Sequence, residues 1–236
     1  MKKLLFIYDV HLSTDVESKI LDISKSDVER IKEKSYGSRN AQKIKKAIND
    51  FYGLLDKRFE KEEIDKIYQD GGAIDWDTVA KTKPQIYGQY LKDLEEKVEK
   101  GSRSFKLVLD LVKKGAKIKQ TEDPKMLLAE ATFIQNYIKI SKIKEELNRG
   151  KHYSLKEEQE IRELADLVAK QQSEQNERGE KRDKAIADNI NNSLKEGEVG
   201  LFIIGAMHNV KQYLAKDIII EELKPKGLKE ILPADS

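Results

Sequence analysis

Val199-Gly200-Leu201-Phe202-Ile203-Ile204-Gly205-Ala206-Met207-His208 is the stretch whose reading decides the fold. Its apolar run, Val199 to Ile204, is short, continuous and closed by glycine, the pattern of a strand buried on both faces. A second run of the same kind, Leu4 to Tyr8, is followed by Asp9 and His11. Strands buried on both faces belong to parallel sheets, which place ligands outside their carboxyl ends. Each run delivers a histidine there, which suggests a site; the alternative is that each is a solvated loop residue. On the first reading His11 and His208 stand within about 10 Å of each other, because parallel strands lie about 4.8 Å apart and at most one intervenes.

The rest of the chain supplies further strands separated by helices. Ile64 to Gln69 reads as the second strand, closed by an Asp70-Gly71-Gly72 turn, and Ala116 to Gln120 as a short third. Lys117 and Lys119 alternate with Ile118 as on an edge strand. Asp217 to Glu221 is the fifth. Helical spacing predicts a helix from Val16 through Ile23, charged helices over Ser26 to Lys34 and Ala41 to Phe59, and helix from Trp76 to Lys100 with Pro84 at a starting position. Ser102 to Lys114 stops at Gly115, Lys125 to Asn148 follows Thr121-Glu122-Asp123-Pro124, and Ser154 to Glu157 is a capping box opening a helix or helix pair that ends near Leu194. This alternation predicts an α/β fold: a mostly parallel central sheet of about five strands with helices on both faces and a helical cap. The most apolar strands, the first and fourth, are expected at its centre, so residues 1–236 read as a single α/β domain. Helix beyond what crossovers need, around 76–100 and 125–180, reads as cap insertions.

Composition narrows the function classes. Charged residues make up 37% yet the formal net charge is only +2, so there is no single-sign field to hold nucleic acid or an anionic membrane. The absence of cysteine removes disulfides and thiolate catalysis and leaves His, Asp and Glu as metal ligands. Abundant Lys and Glu is a thermophile-like composition. No segment has the roughly 20 apolar residues of a membrane span, and Asp9 stops the first apolar run short of a signal-peptide core, so the expectation is a cytoplasmic protein.

Polar groups gather at the predicted strand ends: Asp9 and His11, then Asp70, then Glu122 and Asp123, then His208 with Asn209. Asp9 and His11 are two apart and point the same way if strand geometry continues, which suits a shared proton or cation. Arg182 is spaced by fours from Ile186, Ile190 and Leu194, on the inward stripe of its helix. It reads either as a snorkelling stem with a weak surface ion pair or as a guanidinium serving the site. Asp70 also fits a plain turn, and Glu122 and Asp123 also suit a helix start. Trp76 and Tyr87 fit a pocket wall or core. His152, in a Lys-rich loop, is assigned no role.

The segment from Arg182 to Ile190, followed by a Lys-Glu-Gly loop and the strand ending Gly205-Ala206-Met207-His208, resembles the C-terminal signature of the TraB/PrgY/Tiki and ChaN/erythromycin-esterase-like superfamily. There an Arg-Asp-bearing helix leads into a hydrophobic strand ending in Gly-x-x-His. Gly115 to Asp123 is similar to a strand followed by an acid in that superfamily. Tyr8-Asp9-Val10-His11 takes the place of its first His motif, with Tyr8 for Gly and Asp9 for Glu. The resemblance implies an α/β core and a polar pocket of both histidines, acids and the arginine, and it brings Asp183 into the candidate set. Members include peptidase-like, esterase and ligand-binding proteins, so it narrows the site more than the reaction.

The residues themselves suit hydrolysis of a peptide or ester bond in a small-molecule or peptide substrate. His11, His208, Arg182 and Asp9 are the catalytic candidates, with Asp70, Glu122 and Asp183 toward substrate. One His would act as base on water with Arg182 and the other His at the oxyanion, or His11, His208 and an acid such as Asp9 or Asp70 would hold a divalent metal. There is no Gly-x-Ser-x-Gly elbow, His-Glu-x-x-His or phosphate loop. The competing readings are a non-catalytic ligand-binding or regulatory protein of the same fold and a helical interaction module. The oligomeric state is not encoded in any pattern of the sequence.

Overall fold

A computed structural model describes residues 1–9, 38–205 and 208–224, except for the side chains of Asp9, of residues 38–45 and of Ile48. The helices expected between Val16 and Lys34, and His11 itself, lie outside the described residues. Five parallel strands form one sheet: β1 (Lys2–Asp9), β2 (Lys66–Gln69), β3 (Lys117–Ile118), β4 (Val199–Gly205) and β5 (Ile218–Leu223), in the order β3-β2-β4-β1-β5. The two most apolar strands are adjacent and central, because only there can both faces of a strand be covered. The lysine-bearing β3 lies at an edge.

Side-chain alternation along the central strands divides the core. Leu5, Ile7, Leu201, Ile203 and Ile67 face one layer, and Leu4, Phe6, Phe202, Ile204 and Tyr68 the other. The first layer is built by α1 (Ser38–Phe59), α3 (Pro84–Glu99) and α4 (Arg103–Lys113), which contribute Phe51, Tyr52, Leu55, Leu94, Leu107 and Leu111. The second is built by α7 (Gln175–Ser193) through Ile186, Ala187 and Ile190, with Leu194 just beyond it and Val210 of a short 3-10 turn. Each such side chain, once fully buried, contributes about 1.5–3 kcal/mol relative to remaining in water.

The extra helix has two fates. Over 76–100 the chain forms α2 (Trp76–Thr82) and α3, broken at Lys83 because Pro84 occupies the first position of α3. Leu94 of α3 lies in the first core, with Trp76, Tyr90, Leu91 and Val98 packed against it, so this segment covers a sheet face. Over 125–180, α5 (Pro124–Asn148) and α6 (Leu155–Ser173) form a hairpin with its own core of Phe133, Ile140 and Val168. The predicted capping box holds: Ser154 and Glu157 satisfy each other's backbone amides. Arg178 lies over the Phe133 ring at 4.8 Å, so α7 touches the hairpin at one end and the sheet at the other. Among the described residues no helix is long and apolar enough to cross a membrane.

An ion cluster pins the β5 edge. Arg58 of α1 donates two hydrogen bonds to Glu221, at 2.6 and 2.9 Å, and Lys3 lies 2.8 Å from Glu62 and 3.0 Å from Glu221. Hydrogen bonds from Arg58 and then Lys3 lower the Glu221 carboxyl from 4.5 to about 2, against a smaller opposing effect of burial. A carboxyl lowered in the folded state stabilises above its unfolded pKa and loses that stabilisation as pH falls toward its folded one. Urea titrations should therefore show a loss of about 1 kcal/mol between pH 5 and pH 2 that is missing in Glu221→Gln, the full linkage value being reduced by solvent screening. An equal loss in that variant would remove Glu221 as the cause.

Candidate functional site

Strand register aligns the carboxyl ends. Asp9 pairs with Gly205 and Gln69 with Ile203, and Asp70 continues the ladder by donating its N–H to the Ile203 carbonyl at 2.8 Å. The chain then reverses through Gly71, whose φ of 77° disfavours a side chain, and Gly72. A Cβ on Gly72 would lie 2.9 Å from both the Gln69 carbonyl oxygen and Thr121 Oγ1. That closeness is needed, because the Gly72 carbonyl accepts the N–H groups of Thr121 and Glu122 at 2.8 and 3.1 Å, and Thr121 Oγ1 accepts the Gln69 N–H at 3.0 Å. The loops after β2 and β3 are thus locked together. Gly72→Ala should cost about 1–3 kcal/mol by forcing them apart, measured by chemical denaturation; an unchanged midpoint would show that the lock is loose.

Across this lock lies Arg182 of α7. Its Nε donates to Glu122 Oε2, and its Nη2 donates to Glu122 Oε1 at 2.8 Å and to Asp70 Oδ1 at 2.7 Å. Glu122 is 1% exposed, and its Oε1 also accepts the Gly71 N–H at 2.6 Å. It does not cap α5: that cap is Asp123, which accepts the Lys125 N–H at 2.7 Å. Burial pushes the Glu122 carboxyl up, with Arg182 pulling it down and Asp70 adding to the rise. Burial works against the Arg182 charge, but the Glu122 hydrogen bond and the charges of Glu122 and Asp70 outweigh it and hold the guanidinium protonated.

Asp183, the next residue of α7, turns to the other side. Its Oδ1 pairs with His208 Nδ1 at 2.5 Å and its Oδ2 accepts the Asn209 N–H at 2.6 Å. A carboxylate can only accept, so Nδ1 carries the proton, and in the neutral form of the ring the lone pair lies at Nε2. That nitrogen lies 3.6 Å from Asp70 Oδ2, too far for a hydrogen bond, while Oδ2 accepts the Gly205 N–H at 3.2 Å. One connected set therefore runs Glu122, Arg182, Asp70, His208, Asp183. Five residues singled out from the sequence stand together.

Asp9 occupies the carboxyl end of β1 opposite Gly205, but its side chain and the whole of His11 lie outside the described residues, as does the expected His11–His208 separation. Among the described residues no group of three His, Asp or Glu is arranged to hold a metal. His152 is exposed between α5 and α6. Trp76 stacks on Tyr90 at 3.9 Å, against the core. The sequence reading missed Thr121 and Asn189, whose Nδ2 donates to the Thr121 carbonyl at 2.9 Å. Asn189 lies seven residues after Arg182, on the same inward stripe, so helical spacing contained that signal.

No family model, curated protein or solved structure matches this chain.

Proposed function

We propose that the chain is a hydrolase acting on a peptide or ester bond, with His208 as the working group. The observation that supports it is the Asp183–His208 pair, which orients the ring with Nδ1 toward the carboxylate and turns Nε2 toward Asp70 at the carboxyl ends of β2 and β4. An imidazole oriented by a carboxylate is the arrangement of a general base that takes a proton from water. Asp70 stands opposite and stabilises the imidazolium formed when that proton arrives. Arg182 is bound to Glu122 and Asp70, so its role in this reading is to hold the acids, not to meet an oxyanion.

The same donors suit a divalent metal. A His whose other nitrogen donates to a carboxylate is typical ligand chemistry, and Asp70 is a second oxygen donor, with Asp9 and His11 completing the set expected from the sequence. Such an ion would make a bound water acidic. The resemblance to the TraB/Tiki and erythromycin-esterase-like proteins agrees with either version.

The test is turnover of ester and peptide libraries by the purified chain, before and after exhaustive chelation. Activity that survives chelation and ignores added metal leaves the His208 base alone. Activity that vanishes and returns with Zn²⁺ or Mn²⁺ establishes the metal version. No turnover in either state, with ligand binding retained, would replace hydrolysis by the ligand-binding reading.

A further inference from the structure

We propose that Glu122 is a positioning residue that turns Arg182 inward, so that a ligand at His208 meets an imidazole and a carboxylate oxygen instead of a guanidinium. This rests on His208 being the working group. It also assigns a ligand class: the site takes a neutral or cationic group, such as water, an amine or a divalent cation, in preference to a carboxylate or phosphate.

The argument is one of competition for donors. A guanidinium left 20% exposed at the end of a parallel sheet would ordinarily be the anion-binding element of the site. Here its Nε and Nη2 are both engaged by Glu122, the most deeply buried carboxylate of the cluster. The remaining reach of Nη2 goes to Asp70 Oδ1 at 2.7 Å, which fixes that carboxylate from one side. The Gly205 N–H holds Oδ2 from the other, at 3.2 Å, leaving it facing His208 Nε2. Glu122 is itself anchored twice through backbone: Oε1 accepts from Gly71, and its N–H donates to the Gly72 carbonyl. Among the described residues, the two carboxylates that face His208, Asp70 and Asp183, bring negative charge to it, while Glu122 offsets the guanidinium. Without Glu122, Arg182 has Asp70 as its remaining carboxylate within the described network; it draws that group onto itself and offers its freed N–H groups to anions.

The experiment is solution NMR on the ¹⁵N-labelled full chain, reading the His208 ring nitrogens and the Arg182 Nε–H, with inorganic phosphate as the anion probe. In the wild type, His208 should show the Nδ1–H tautomer and the Arg182 signal should ignore millimolar phosphate; a phosphate shift there would overturn the proposal. In Glu122→Gln the His208 signals should move and Arg182 should become phosphate-responsive. A folded Glu122→Gln with unchanged His208 signals would overturn it. Asn189→Ala, which releases the Thr121 loop without removing charge, should lower Tm and leave both signatures in place; if it reproduces the Glu122→Gln changes, the role is merely structural. Should Glu122→Gln not fold, Glu122→Asp keeps the charge but shortens the reach, and is expected to expose Arg182 to phosphate in part; no phosphate response in it would count against the proposal. None of these readouts needs substrate, so absent turnover would remove the hydrolase reading and leave this one to be judged separately.

Discussion

Arg182→Ala is expected to lower the unfolding free energy by about 3–5 kcal/mol, a large share of the roughly 5–15 kcal/mol that holds a domain of ordinary stability together. The cost does not come from the lost contacts alone. Truncation leaves Glu122 at 1% exposure and Asp70 beside it, two carboxylates facing each other without the cation between them. A buried charge deprived of its partner is destabilised by its own desolvation, and here a like charge adds to it. Chemical denaturation at neutral pH measures the loss. Arg182→Ala combined with Glu122→Gln should recover part of it, since the double variant removes both members of the pair. A single variant within 1 kcal/mol of wild type would mean that Arg182 is a solvated ion pair of the ordinary surface kind.

Spacing alone could not give the size of that loss. The four-residue interval from Arg182 to Ile186, Ile190 and Leu194 places the arginine on the buried stripe of α7, and the three apolar residues are indeed fully buried. Spacing says which way a side chain faces, not what it meets. Glu122 lies 60 residues away along the chain and Asp70 lies 112. Only the sheet order, which brings the ends of β2 and β3 under α7, joins them. The central strands were legible because Leu4 to Tyr8 and Val199 to Ile204 are continuous apolar runs, and such a run is a local property of the chain. The separate core of α5 and α6 was not legible. An amphipathic stripe fits a sheet, a partner helix or solvent-facing neighbours equally well, and the choice is made by Phe133 and Ile140 of α5 joining Val168 of α6 in one cluster. Asp70-Gly71-Gly72 reads as a turn by composition, but part of the need for Gly72 comes from Thr121, about fifty residues further on, whose hydroxyl would lie 2.9 Å from a Cβ, as close as the local Gln69 carbonyl oxygen.

Under the proposed hydrolase reading, Asp183→Asn is expected to reduce turnover about 100- to 10,000-fold while lowering stability by only about 1 kcal/mol. An asparagine in this place keeps one oxygen acceptor, enough for the Asn209 N–H that Oδ2 now receives at 2.6 Å. The amide nitrogen then faces His208 Nδ1 and can only donate. The ring must answer with a lone pair at Nδ1, so its proton moves to Nε2, and the nitrogen that faces Asp70 across 3.6 Å can no longer take a proton from water. The backbone, the helix and the buried network of Arg182 are untouched by this change, which separates it from the variants above. His208→Ala should remove at least as much activity, because it deletes the base instead of its tautomer. Turnover of Asp183→Asn within threefold of wild type, in protein of wild-type Tm, would take His208 out of the chemistry and leave its contact with Asp183 as a tie between α7 and the loop after β4.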